Sequence, residues 1–126
     1  MQYSLLPIDD QASLDALDRI WAASQGADDR GFRPRGGWWR LSAWAARALL
    51  LHADGAPIGG VALNQAPDGA TEARLALLPE RRAPEAARRL VAAALRDAAL
   101  QDAPRLRLAL PARASWARDA ASEHRG

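Results

Sequence analysis

The chain has no cysteine, one methionine, one tyrosine and one phenylalanine in 126 residues. The missing thiol excludes disulfides, thiolate metal sites and a cysteine nucleophile together. Lysine is absent too, so all 17 basic residues are arginine, a usage that reports a GC-rich coding sequence before any demand for guanidinium chemistry. Fifteen acidic residues interleave with them, leaving a net charge of +2 and no basic patch for nucleic acid. No run reaches the roughly 18 apolar residues of a membrane span. Met1 to Pro7 lacks the basic-then-apolar pattern of a signal peptide, so a cytoplasmic protein without membrane association is expected.

What is present is the balance of a globular protein, 49% hydrophobic and 25% charged, with an aliphatic core of Leu and Ala. The length allows one hydrophobic core. Tyr3 to Pro7 suits a first strand, and Asp9 and Asp10 stand at a helix entrance ahead of Leu14, Leu17, Ile20 and Trp21, which share one helix face. Gln25 to Gly37, with Gly26, Gly31, Pro34, Gly36 and Gly37, is expected to be a mobile loop. Trp38 to Trp44 predicts a short helix. Arg47 to Ala53 and Pro57 to Asn64 flank the turn Asp54-Gly55 as a β-hairpin, and Glu72 to Leu78 is a third strand of this group, ended by Pro79. Pro84 to Gln101 is an amphipathic helix with Ala87, Leu90, Val91, Ala94, Leu95 and Ala98 on one face. Arg105 to Leu110 alternates as a half-exposed strand, and Ser115 caps a last helix running through Trp116 to about His124. The order is β-α-α-β-β-β-α-β-α.

Between the third of these strands and the long helix the chain reads Arg81-Arg82-Ala83-Pro84-Glu85-Ala86-Ala87, and it ends Ala121-Ser122-Glu123-His124-Arg125-Gly126. The hairpin, the proline-stopped strand, the arginine-rich turn and the amphipathic helix together resemble the GNAT superfamily of N-acetyltransferases, most sharply from Ala48 to Gly126. The resemblance implies an α/β (α+β) fold with a GNAT-like mixed sheet and one domain over residues 1–126. It also implies acetyl-CoA as co-substrate and an amine, small molecule or peptide, as acceptor. No metal is expected.

The family's phosphate pattern is Arg or Gln, two variable residues, Gly, one residue, then Gly or Ala, and here it falls on Arg82 to Ala87. Free N–H groups at a helix start, aided by the helix dipole, face the pyrophosphate of coenzyme A in such a loop. By the resemblance Arg81, Arg82, Ala83, Ala86, Ala87 and Arg88 hold phosphates, and backbone groups of Leu75, Leu77 and Leu78 pair with pantetheine. The chain departs from the pattern where Glu85 replaces the first glycine and Pro84 lacks an N–H. A carboxylate ~5 Å from a phosphate charge costs about 3 kcal/mol at an effective dielectric near 20. The bland reading of Pro84-Glu85 is an ordinary helix start.

Glu72 stands where some members keep a carboxylate that deprotonates the amine through water, and it equally suits a solvated turn. Ser122 occupies the place of a proton-donating tyrosine, a role for which a hydroxyl is a poorer acid and an ordered water the nearest substitute. Trp38 and Trp39, near Arg33, Arg35 and Arg40, are the candidates for acceptor binding, although tryptophans at this spacing also suit a core. His52 and His124 read as structural or exposed. The family continues past this final glycine into two more strands. The expectation is therefore a C-terminally truncated domain or the first half of a tandem, with a homodimer or sheet completion through the edge of strand 105–110. Two readings stay open: an acetyl-CoA-dependent N-acetyltransferase, and a non-catalytic degenerate domain used for pairing, structure or regulation.

Overall fold

The computed structural model describes residues 1–34, 39–111 and 113–122. Its elements are β1 (Tyr3–Pro7), α1 (Gln11–Asp28), α2 (Leu41–Trp44), β2 (Arg47–Ala53), β3 (Ala56–Gln65), β4 (Thr71–Leu77), a 3-10 turn (Pro79–Arg81), α3 (Pro84–Leu100), β5 (Leu106–Ala109) and α4 (Ser115–Ser122). The five strands form one mixed sheet in the order β1-β2-β3-β4-β5, antiparallel except for the parallel pair β4 and β5. The hairpin turn places Asp54 and Gly55 at φ 49° and 87°, the pair of positive values that a tight two-residue turn requires.

Period-two alternation divides the strand residues between two faces. Leu51, Val61, Leu63, Leu75 and Leu77 pack under α3 and α4, against Leu90, Val91, Ala94, Ala117 and Ala120. Leu50, Ala62 and Ala76 face α1 and α2, against Leu17, Ile20, Trp21 and Leu41. The α1 face is built small. A Cβ on Gly60 would stand 2.5 Å from Leu17 Cδ1, so only glycine lets α1 approach this closely.

The element order agrees with the sequence reading, and four details differ. Residues 25–28 are not loop but the last turn of α1, capped at its other end by Asp10 accepting from the Ser13 N–H at 2.7 Å. The short helix begins at Leu41, after Trp39 and Arg40. Leu95, expected on the buried face of α3, is 40% exposed. The helix of residues 115–122 starts at Ser115 itself, and the remainder of the predicted span, with His124, lies outside the described residues. No helix among the described residues is long and apolar enough to cross a membrane.

Candidate functional site

The site begins where two parallel strands part. Thr71 to Arg74 of β4 pair with Leu106 to Ala109 of β5, and the pairing stops there. The Thr71 N–H donates to the Arg105 carbonyl at 3.0 Å, so odd-numbered residues of β4 turn their backbone groups toward β5. Beyond the last pair, Arg74 with Ala109, Leu77 presents both of its groups to the seam. Leu78 does not share this side: its N–H donates to Ile58 of β3 and its carbonyl accepts from Arg81.

The chain's own side chains fill this opening. The Leu77 N–H donates to Ser24 Oγ at 3.2 Å, and the Leu77 carbonyl accepts from Arg82 Nε at 3.3 Å. The Arg82 guanidinium meets the Asp28 carboxylate in a fork, Nη1 to Oδ1 at 2.7 Å and Nη2 to Oδ2 at 2.9 Å, and also donates to the Ser24 carbonyl and hydroxyl. From the other face of the sheet, Trp116 of α4 donates its indole N–H to Asp28 Oδ2 at 3.1 Å. Its ring lies under Arg82, 5.0 Å from guanidinium carbon to centroid. Helices on opposite faces thus touch through the seam. Asp28 and Ser24 are buried, and the Arg82 side chain is 18% exposed, so this is a forked, charge-assisted contact away from most solvent.

A cavity adjoins the cluster on each side. One, of about 130 Å³, is lined by Arg81, Arg82 and Ala83 with Tyr3, Ile58 and Glu80. The other, of about 390 Å³, is lined by Asp28, Asp29, Arg30, Gly31, Pro111 and Arg113. They share no residue, and the Arg82–Asp28 ion pair takes one partner from each.

The start of α3 follows directly. Its cap, Ala83, offers no side-chain hydrogen bond, Pro84 has no N–H, and Ala87 is the first residue bonded back, to the Ala83 carbonyl at 3.2 Å. The N–H groups of Glu85 and Ala86 therefore have no partner within the helix. Glu85 accepts from Arg88 at 3.0 Å and Arg89 at 3.1 Å, hydrogen bonds that hold its carboxyl below the ordinary glutamate value. Its charge is compensated within the helix, which offsets the repulsion toward an anion that its position suggests. Arg89 also lies over the Tyr3 ring, tying β1 to this end of α3.

These residues match coenzyme A unequally. Unpaired N–H groups beside Arg81, Arg82 and Arg88 suit phosphates, whereas the seam that pantetheine requires is taken by Ser24 and Arg82. The remaining expected residues lie apart. Glu72 points from the other face of β4, five residues or about 16 Å along the strand from Leu77, and stands 3.9 Å from Arg107. Ser122 ends α4, about 9 Å along the helix from Trp116, and donates to the Arg118 carbonyl at 3.0 Å. Trp39 is half-buried on the α1 face, edge-on to Phe32 at 6.5 Å. Trp38 lies outside the described residues.

Ser24, Asp28 and Trp116 are the site residues that sequence reasoning missed. One signal was there: Leu17, Ile20, Trp21, Ser24 and Asp28 continue a single buried stripe of α1, with polar residues where apolar ones are due. A buried polar extension of an apolar face needs a partner.

No family sequence model matches the chain, and no curated protein matches it in sequence. Solved structures do match in shape. A ribosomal-protein-alanine N-acetyltransferase from Brucella melitensis biovar Abortus 2308 is 18% identical, with a TM-score of 0.69 over 99% of this chain and 92% of the other. An aminoglycoside acetyltransferase, meta-AAC0020, from an uncultured soil metagenomic sample is 10% identical, with a TM-score of 0.70 over 98% and 88%. A GCN5-related N-acetyltransferase from Sphaerobacter thermophilus is 18% identical, with a TM-score of 0.73 over 97% of this chain and 42% of its own. With a parting parallel seam, helices on both faces and an uncapped helix start after β4, the chain has the GNAT fold.

Proposed function

We propose that the chain is an acyl-CoA-dependent N-acyltransferase, with acetyl-CoA as co-substrate and an amine on a small molecule or peptide as acceptor. One observation carries the reading: the β4–β5 ladder ends at Arg74 with Ala109, and β4 runs on through Leu77 to the start of α3, where the N–H groups of Glu85 and Ala86 have no partner within the helix. In this reading Arg81, Arg88 and those N–H groups hold the anionic end of the co-substrate, which supplies an activated acetyl group. The edge of β5 fits pairing with a second copy, because β5 is the outermost strand of the sheet.

Calorimetric titration with acetyl-CoA and with desulfo-CoA tests the reading, on the wild type and on Glu85→Gly. The glycine variant is expected to bind tighter, since the start of α3 loses its carboxylate. Silence of both proteins toward both ligands would reject acyl-CoA chemistry. A second reading, a non-catalytic GNAT-fold module, is favoured by the occupied seam itself, and it predicts that silence.

A further inference from the structure

We propose that Arg82, Asp28 and Trp116 form a latch that holds the β4–β5 seam shut, and that an anion binding at the start of α3 opens it by taking Arg82. The inference rests on the acyl-CoA reading and specifies how that site is controlled.

Three features of the cluster lead to it. Arg82 immediately precedes Ala83, the cap of α3, so the guanidinium that holds Asp28 belongs to the residue at the entrance of the helix whose Glu85 and Ala86 N–H groups have no partner within it. The fork geometry that binds a carboxylate binds a phosphate equally well. The ion pair also takes one partner from the lining of each cavity, Arg82 from the one beside Ala83 and Asp28 from the one beside Arg113. Finally, Arg82 donates to both the Ser24 hydroxyl and the Leu77 carbonyl, and its departure loosens the groups that occupy the seam-facing backbone of Leu77.

The bonds are of a kind that can exchange. Side-chain contacts within the seam rearrange without disturbing the ladder from Thr71 to Arg74, which keeps β4 and β5 together. A ligand shifts such an equilibrium by its differential affinity for the open state. Closing contacts therefore weaken apparent affinity by the fraction of molecules that are open.

The test uses coenzyme A on the full chain, with calorimetry for affinity and the Trp116 indole N–H resonance as a reporter of the latch. Asp28→Asn removes the carboxylate charge at constant shape, and Trp116→Phe keeps a ring over Arg82 without the N–H donor. Circular dichroism establishes that each variant is folded. The expected result is a shift of the Trp116 resonance when coenzyme A binds the wild type, with affinity at least tenfold higher in Asp28→Asn and higher in Trp116→Phe. Equal affinity in all three proteins, with the indole resonance unmoved, overturns the latch and leaves the acyl-CoA reading standing. No binding by any folded protein overturns both.

Discussion

β4 meets its surroundings in two ways along seven residues. Its first four residues are zipped to β5 by a parallel ladder, and at its end Leu77 bonds side chains from α1 and from the turn before α3, with Trp116 of α4 held to the same cluster through Asp28. The Thr71 and Leu77 N–H groups are both satisfied, as buried ones must be. The two halves differ in what breaking them involves. Opening the ladder moves a strand and uncovers the core beneath it, whereas the seam is closed by contacts of the Arg82, Ser24 and Trp116 side chains and not by a paired strand. A binding site built between packed strands belongs in the second half, where satisfaction is reversible.

The sharpest way to break the contrast is in the ladder. Ala73→Pro removes a β4 N–H within the paired stretch and is expected to cost about 3 kcal/mol or more. Thermal denaturation should show failure to fold or a large loss of midpoint. In the seam, Asp28→Ala leaves the Arg82 charge largely buried and without its carboxylate, and should cost about 3 kcal/mol in denaturant unfolding. Ser24→Ala deprives the buried Leu77 N–H of its acceptor and should cost about 1–2 kcal/mol. A double-mutant cycle with Arg82→Ala should show strong coupling, because Arg82 contacts the same serine.

The smallest expected effect lies at the start of α3. The Glu85 carboxyl is held below the ordinary glutamate value by hydrogen bonds from Arg88 and Arg89. A depressed acid contributes stability that is present above its unfolded value and lost as pH falls through the folded one. Glu85→Gln should therefore change stability slightly at neutral pH, and the difference from wild type should vanish in acid. A pH series of melting temperatures checks the sign.

Element order was legible because the helices are long and the turns carry strong chemistry. Asp54-Gly55 and Pro84 fixed two boundaries almost to the residue. The end of α1 was not legible. Residues Gln25 to Asp28 are polar and contain Gly26, so local propensity reads them as loop. Their helical turn is instead consolidated by the Arg82–Asp28 fork, whose partners are 54 residues apart in the chain. Trp116 was harder still, since its partner Asp28 is 88 residues away and no spacing rule reaches that far. At Glu85 the residue and its arginine neighbours were both legible, since Arg88 and Arg89, three and four positions on, stand at the spacing that pairs side chains along a helix. The backbone site at Leu75, Leu77 and Leu78 came from family resemblance, because a backbone site leaves no side-chain signature, and Leu78 turns to β3 instead.

If the two halves of β4 open independently, amide hydrogen exchange resolved by NMR separates them. The Leu77 amide then exchanges through a local opening, at least tenfold faster than Ala73, and Asp28→Asn speeds Leu77 while leaving Ala73 in step with global stability. Exchange of both amides at one common rate, in the wild type and in the variant alike, would contradict it.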